Sequence, residues 1–227
     1  MVKKTQVVLI IAVVISLVFY GVKIKKASVK AGVLTVVLDA GHGGIDAGVI
    51  ASNGTKESDI NLDICYKTKK LLEENCINVV LTRSGVGGLY GVATKGFKNR
   101  DMKKRKEIIN SSNADLVVSI HVNKCPYEYR KGAQVFYKLG SEESKNLAQI
   151  MQLALNNLPN ADKDNCYLPG DYFVLNCSLI PSVLVECGFF SNPQNEAQLL
   201  GEDYRKKIAF TLSTQITHFL LLKNAQK

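Results

Sequence analysis

The sequence predicts an α/β fold, a single domain with a largely parallel, twisted sheet that helices cover on both faces. Continuous runs of β-branched and aliphatic residues recur along the chain, and segments with helical spacing alternate with them, as in βαβ units. The 227 residues, 46% hydrophobic and 22% charged, suffice for one domain with its own core. A separate apolar run predicts an N-terminal membrane-anchor or signal helix.

The N-terminal segment, residues 1–30, is the candidate anchor or signal. Nearly every residue from Val7 to Val22 is apolar, and lysines flank the run on both sides. The run is borderline in length for a spanning helix, and no convincing cleavage site follows it. We therefore expect an uncleaved anchor or a cleaved signal at 1–30 and the folded domain at 31–227.

The first half of the folded domain predicts three buried strands with helices between them. The strand at 33–40 consists of the letters VLTVVLDA and runs into a glycine-rich loop. Aliphatic residues at helical spacing predict the next helix, with Ile60, Ile64 and Leu72 on one face. The predicted elements after the first strand are a helix at 58–75, a strand at 77–83, a glycine-rich loop at 84–98, a basic helix at 99–111 and a strand at 114–123.

The second half predicts a sheet edge and two long helices. Residues 132–138 alternate between apolar and polar more than the earlier strands do, which suits an edge strand. Ser141, followed by two glutamates, predicts the start of a helix that runs to 158. The remaining predicted elements are strands at 172–176 and 182–186 and a helix at 203–222.

The net charge of +9 does not predict a nucleic-acid partner. Six lysines and no acidic residue lie in 1–30, so the rest of the chain carries 23 basic and 20 acidic residues. The main basic stretch is not interleaved with a platform of aromatic side chains on which bases could stack. We interpret that stretch as a solvated helix face, with contact to an anionic polymer as the alternative. Its residues are Lys95, Lys98, Arg100, Lys103, Lys104, Arg105 and Lys106.

The six cysteines do not form a recognisable metal or redox motif. No C-x-x-C spacing occurs, and Cys65, Cys177 and Cys187 fall within apolar periods. We expect mostly buried free thiols that behave as small hydrophobic side chains.

Chemistry-bearing side chains collect at one edge of the predicted sheet. His42 follows the first strand, His121 ends the third, and Glu186 ends a later strand, while Glu57 begins the first helix. The carboxyl ends of parallel strands share one edge, where ligands bind in such folds. Two imidazoles and two carboxylates suit one catalytic zinc with three protein ligands and an open position, with the fourth group as base.

Each of these residues also has a purely structural interpretation. His42 alone could be a hydrogen-bonded loop residue, His121 a buried histidine with a partner, and Glu57 a solvated charge at a helix N-terminus. Glu186 is harder to explain in this way, because burying a carboxylate without a partner is costly. The third histidine, His218, lies off the apolar stripe of its helix and is expected at the surface.

Five stretches together resemble the zinc-dependent N-acetylmuramoyl-L-alanine amidases of the amidase-3 family. The stretches are VVLDAGHGGIDAG, KESDINL, RSG with the following R-K-x-x-x-N, ADLVVSIHVN and SVLVECGFFSN. They span about residues 33–222, so the domain at 31–227 is expected to be the amidase-3 catalytic domain. The segment GVATKGFKNRDMKKRKEIIN, without a long inserted helix, is most similar to that of the sporulation-type members.

The resemblance implies a role for each site residue. His42, Glu57 and His121 match the family's zinc ligands, and Glu186 matches its catalytic glutamate. Sequence spacing alone leaves Asp39 and Asp46 open as alternative ligands to Glu57. The implied cofactor is one Zn²⁺ per chain, and the implied reaction is hydrolysis of the amide between N-acetylmuramic acid and L-alanine, with Glu186 acting first as base and then as acid.

The resemblance also implies a compartment and partners. The substrate is peptidoglycan, glycan strands with stem peptides, so the domain is expected outside the cytoplasmic membrane, membrane-anchored or secreted. In a sporulating cell that place is the forespore intermembrane space, where stem-peptide removal precedes muramic lactam formation in the cortex. Further expected partners are the membrane, through the N-terminal helix, and an activator protein.

Three other functions compete with this one. A zinc carboxypeptidase or endopeptidase acting on wall peptides would need an arginine for the peptide carboxylate, which Arg83 or Arg130 would supply. A catalytically inactive peptidoglycan-binding protein on the same fold would lack part of the site. A thiol hydrolase would pair Cys187 with His121, although Cys187 is expected on the strand face opposite to Glu186.

Overall fold

Six strands form one sheet at the centre of the domain. The computed structural model describes residues 33–159, 161 and 165–225, so the expected anchor or signal at 1–30 lies outside the described residues. The strands are β1 (Thr35–Ala40), β2 (Asn78–Leu81), β3 (Leu116–Asn123), β4 (Gln134–Lys138), β5 (Leu168–Gly170) and β6 (Ser182–Phe189). Their order across the sheet is β2–β1–β3–β6–β4–β5.

Helices connect these strands. They are α1 (Glu57–Glu74), α2 (Phe97–Ser111), α3 (Glu142–Leu155), α4 (Phe173–Asn176), α5 (Pro193–Leu200) and α6 (Glu202–Ala225). The side chain of Ser141 accepts a hydrogen bond from the backbone N–H of Ser144, which confirms the predicted start of α3. Among the described residues no helix is long and apolar enough to span a bilayer.

The sheet is largely parallel, as predicted. β1 pairs in parallel with both β2 and β3, and β3 pairs in parallel with β6. The predicted edge strand at 132–138 is an inner strand instead, because β4 lies between β6 and the three-residue β5. β4 runs antiparallel to β6, and its last three residues, from Phe136 to Lys138, are only half-buried, so its sequence is less uniformly apolar than those of the central strands.

The predicted strand at 172–176 is wrong. Residues Phe173–Asn176 form the short helix α4, where the N–H groups of Leu175 and Asn176 donate to the carbonyl of Tyr172. A run of four or five apolar residues has no periodicity that separates a buried strand from one helical turn. Val174 and Leu175, the two buried residues of this helix, pack against the sheet, which explains why the segment is apolar.

Alternate strand residues pack into two apolar layers, so helices cover both faces of the sheet. On one face, Leu38, Val118 and Val185 belong to a large core that includes residues of α1, α3 and α6. On the other face, Val117 and Leu184 belong to a smaller core with residues of α2 and α4. The strands are therefore buried on both sides, which explains their continuous apolar sequences.

The cysteines differ from the expectation of mostly buried thiols. Cys65 and Cys187 are fully buried, whereas Cys76 and Cys166 are exposed. Cys76 adopts a left-handed backbone conformation (φ 59°) in the turn after α1, a position that local apolar periodicity does not reveal.

Candidate active site

Parallel strands bring distant residues to one edge of the sheet. β1 ends at Ala40, two residues before His42, and the register between β3 and β6 places His121 opposite Glu186. Register partners on neighbouring strands point to the same face, so these two side chains stand side by side. The register shifts between His121 and Asn123, which marks the end of regular pairing at this edge.

The loop after β1 places His42 in an unusual conformation. His42 has φ 60°, in the left-handed region that non-glycine residues rarely adopt. The backbone of Gly43 exchanges hydrogen bonds with that of Asp46, which closes the loop. The side chain of Asp46 then lies 3.0 Å from His42 Nδ1, so the imidazole is oriented with Nε2 free to face inward.

Glu57, the first residue of α1, is buried and points into the same site. Its side chain is only 2% exposed. Oε2 accepts a hydrogen bond from the N–H of Val49 (2.8 Å), and Oε1 accepts from the N–H of Val122 (3.1 Å) and from Asn61 Nδ2 (3.2 Å). The carboxylate is thereby held between the loop after β1 and the end of β3.

His42, Glu57 and His121 form one compact cluster, which we call the triad. Glu57 Oε1 lies 3.0 Å from His121 Nδ1 and 3.4 Å from His42 Nε2. One ligand atom from each residue lies within 4.8 Å of the other two, close enough to hold a single metal ion. The two imidazole rings meet edge to face, with their centroids 5.0 Å apart.

Two glycines make room for the triad. A Cβ atom on Gly41 would clash with the imidazole ring of His121, which therefore packs directly on the backbone. Gly48 has φ +68°, and a Cβ there would clash with the carboxylate of Glu57. These close approaches explain why the loop carries glycine at both positions.

Within the triad, the carboxylate and the imidazoles stabilise each other's charged forms and so shift the pKa values of Glu57 and His42. Burial acts to raise the pKa of Glu57, but the hydrogen bonds and charges of His121 and His42 outweigh it and hold this pKa well below its ordinary value. Burial acts to lower the pKa of His42, whereas Glu57 and Asp46 raise it to about 9. The carboxylate is therefore ionised at neutral pH, the form that can ligate a cation.

Glu186 differs from Glu57 in having no partner for one oxygen. The residue is 8% exposed, and among the described residues its Oε2 has no hydrogen-bond partner. Burial raises the pKa of Glu186 to about 7, with the charge of Glu57 adding to the effect and those of His121 and His42 opposing it. A carboxyl group in this environment can take up and release a proton near neutral pH.

A cavity of about 330 Å³ lies over these groups. His42, His121 and Glu186 line it from the sheet edge, and Phe173 lines it from α4. Its other lining residues are Asp39, Gly41, Asp46, Asp101, Met102, Arg105, Tyr172, Val174 and Leu184. The substrate of any reaction at the triad would enter through this space.

Asp39 and Asp46, the alternatives to Glu57, have other roles. Asp39 is 2% exposed and binds Arg105, Thr82 and Ser119, and the pKa of Asp39 is lowered to about 2 because these partners outweigh burial. Asp46 binds His42 from the side of the imidazole that faces away from Glu57. Neither carboxylate belongs to the triad.

The basic stretch is only partly a solvated helix face. Arg105 is 2% exposed and pairs with Asp39 and Asp101. Arg100 donates to the backbone carbonyls of Tyr90 and Val92 in the glycine-rich loop. Neither role is predicted from the sequence. Asp39, near the end of an otherwise apolar strand, is a signal for the first, because a buried carboxylate requires a cationic partner.

The residues that rival functions require are engaged elsewhere. Arg83 is 3% exposed, and its guanidinium donates to the carbonyls of Ala40, Gly41, Ser58 and Gly85. It is therefore not available to bind a peptide carboxylate. Burial also raises the pKa of the Cys187 thiol well above its ordinary value, which opposes a thiolate nucleophile.

Arg130 is likewise held in place. Its Nη2 donates to Gln134 Oε1 (3.0 Å), and its guanidinium lies 5.4 Å from the centroid of the Phe189 ring. The exposed His218 confirms the expectation of a surface residue.

Comparison with known proteins identifies the family. The fold and the triad define an α/β domain with a candidate metal site at the carboxyl edge of its sheet. The family model described as N-acetylmuramoyl-L-alanine amidase (Amidase_3) matches residues 36–218, so the chain belongs to this family and is a hydrolase of that class. This confirms the resemblance seen in the sequence motifs.

Two relatives show the similarity in sequence. The germination-specific N-acetylmuramoyl-L-alanine amidase of Bacillus subtilis (strain 168) is 34% identical over 193 residues, which cover 83% of this chain and 80% of the relative. The amidase AmiA of Escherichia coli (strain K12) is 28% identical over 246 aligned positions, 89% of this chain and 81% of AmiA.

A solved structure shows the similarity in fold. The CwlD amidase from Clostridioides difficile, in complex with the GerS lipoprotein, superposes with a TM-score of 0.79 at 38% identity. The match covers 83% of this chain and 99% of that chain.

Proposed function

We propose that this chain hydrolyses the amide bond between N-acetylmuramic acid and L-alanine in peptidoglycan with one zinc ion, held by His42, Glu57 and His121. The observation that carries the proposal is the triad itself, with ligand atoms within 4.8 Å of one another and Glu186 beside it. The family membership supplies the substrate class.

The donor set fits zinc. Two imidazole nitrogens and one carboxylate oxygen are a known ligand set of catalytic zinc sites, which leave a further position open. Asp46 on His42 Nδ1 is the kind of outer partner that fixes the tautomer and orientation of a ligating histidine. When bound, zinc supplies Lewis-acid polarisation of the scissile carbonyl and acidification of water.

Glu186 carries the proton in this reaction. Its unpartnered Oε2 takes a proton from the attacking water, whose oxygen forms a bond to the lactyl carbonyl carbon. As the carbon–nitrogen bond breaks, Glu186 returns the proton to the alanine nitrogen. The other proton of the water stays on the new carboxyl group and passes to the released amine at neutral pH. The products are therefore a muramic acid carboxylate and a stem peptide with a protonated amino terminus, and Glu186 regains its starting state. The raised pKa, about 7, suits both transfers.

The similarity to germination and CwlD amidases supports a role in spore cortex maturation. On this proposal the catalytic domain acts outside the cytoplasmic membrane, in the forespore intermembrane space, with residues 1–30 as anchor or signal. The CwlD structure contains a lipoprotein, so an activator protein is the partner that we propose for this chain. Removal of stem peptides would precede lactam formation by other enzymes.

Product analysis tests the proposed activity. The purified full chain is incubated with peptidoglycan and zinc, and the released fragments are weighed by mass spectrometry. We expect intact stem peptides with amino-terminal alanine, together with glycan that lacks stems. Loss of single carboxy-terminal amino acids, or cleavage within the stem peptide, would identify a peptidase instead. Binding without any release, even when the proposed activator protein is added, would identify a non-catalytic protein.

A further inference from the structure

Arg105 connects helix α2 to the loop that carries His42. Its Nε donates to Asp101 Oδ2 (2.6 Å), and its Nη1 donates to Asp39 Oδ1 (2.5 Å) and to the carbonyl of Ala40 (2.8 Å). Its Nη2 donates to the carbonyl of His42 itself (2.6 Å). One buried guanidinium thus binds α2, the end of β1 and the backbone of a triad residue.

His42 needs such support because of its backbone conformation. A non-glycine residue at φ 60° persists only where its surroundings hold it there. Arg105 holds the carbonyl of His42, and Asp46 holds the imidazole at Nδ1. With both ends of the residue held, Nε2 faces Glu57 at 3.4 Å.

Arg105 belongs to a cluster of two positive and two negative side chains. Asp39 and Asp101 bind Arg105, and the nearby buried Arg83 supplies the second positive charge, so the four charges sum to zero. Replacing a buried ion pair by apolar residues is often neutral or stabilising, so stability alone does not explain the arrangement. The planar guanidinium, however, fixes several acceptors at defined positions, which an ammonium group does not.

We propose that Arg105 is a positioning residue that acts through the carbonyl of His42 and thereby sets the zinc affinity of the triad. The inference rests on the proposed zinc site. It assigns Arg105 no contact with substrate. Loss of the guanidinium would let the loop relax from the left-handed conformation and move Nε2 away from Glu57.

The zinc dissociation constants of full-length variants test this inference, measured by competition with a chromogenic chelator. We expect Arg105→Lys to weaken zinc binding about 10–100-fold, as loss of outer partners of metal ligands commonly does. The visible spectrum of the cobalt-substituted protein should change as well, because it reports the geometry of the ligands. A thermal melt of each variant shows whether it is folded.

Arg205→Lys is the matched control. Arg205 also binds a carboxylate, Asp63 Oδ2 at 2.5 Å, and two backbone carbonyls, those of Leu199 and Leu200 at 2.8 Å each. It lies on α6 and contacts none of the triad. Its replacement should lower the melting temperature without changing zinc affinity or the cobalt spectrum.

The outcomes separate this inference from the proposed function. Unchanged zinc affinity and cobalt spectrum in folded Arg105→Lys would overturn the role of Arg105 and leave the zinc site intact. Failure of the wild-type chain to bind zinc would overturn the proposed function itself. If Arg105→Lys does not fold, Asp101→Asn replaces it, since it removes the charge that binds Nε. We then expect about tenfold weaker zinc binding, and equal affinity would overturn the inference.

Discussion

His121 on β3 and Glu186 on β6 are register partners on adjacent parallel strands. One of them contacts Glu57 within the triad, while the other keeps an unpartnered carboxylate oxygen beside it. The strand pairing alone therefore places a candidate metal ligand and a candidate proton carrier side by side, because both residues lie on regular strands and not on loops.

Glu186→Gln should abolish turnover and keep the metal. The amide is similar in size but cannot take up a proton, so we expect kcat to fall at least about 100-fold, the range for loss of a general base. Peptide release and zinc content measure the two effects. Glu142→Gln, at an exposed position on α3, should match the wild type. A fully active Glu186→Gln enzyme would refute the proton-transfer role.

Asp46→Asn should weaken zinc binding. The carboxylate binds His42 Nδ1, and loss of its charge makes the imidazole a poorer and less well oriented ligand. We expect zinc affinity to fall about 10–100-fold by chelator competition. Asp203→Asn, at an exposed position on α6, serves as the control. Equal affinity in both variants would show that Asp46 does not orient the ligand.

Gly41→Ala should disrupt the triad through His121. The added methyl group would clash with the imidazole ring, and overpacking of this kind costs about 1–3 kcal/mol. We expect a lower free energy of unfolding in urea together with weaker zinc binding. Gly85→Ala is the matched control, because its Cβ would meet open space. The prediction fails if the two variants are equally stable and bind zinc equally well.

Asp39 should make stability depend on acid pH. Arg105, Ser119 and Thr82 outweigh burial and lower its pKa in the folded state to about 2, from 3.8. Between these values the unfolded chain binds the proton more tightly, so the stabilisation is complete above about pH 4 and is lost as the pH falls towards 2. Urea unfolding at several pH values measures this.

Asp39→Asn provides the comparison for that slope. Removing one partner of a buried ion pair costs about 3–5 kcal/mol, so we expect a less stable protein at neutral pH. Its stability should also fall less steeply than that of the wild type between pH 4 and 2. Identical slopes would show that Asp39 does not carry this pH dependence.

Strongly patterned elements could be predicted from the sequence. The strands around Leu38, Val118 and Val185 are buried on both faces, so their continuous apolar runs mark them directly. Once strands are placed, the parallel topology brings His42, His121 and Glu186 to one edge. The position of Glu57 at the same edge follows from the βα unit, because helix α1 begins there. Its role as a metal ligand is implied only by the family resemblance.

Other features depend on tertiary context that no local pattern contains. β4 lies inside the sheet only because the short β5 pairs with it, and a three-residue strand such as Leu168–Gly170 has no detectable periodicity. The burial of Arg105 depends on Asp39, which is 66 residues away in sequence. The left-handed conformation of His42 likewise reflects contacts that form only in the folded chain.

Zinc stoichiometry shows whether His42, Glu57 and His121 bind one metal ion together. Metal content is measured by elemental analysis after the full chain is loaded with zinc and dialysed, for the wild type, His121→Ala and His218→Ala. We predict one zinc per chain in the wild type and in His218→Ala, whose histidine is exposed, and none in His121→Ala. One zinc retained by His121→Ala, or none in the wild type, would mean that these three residues do not form a metal site.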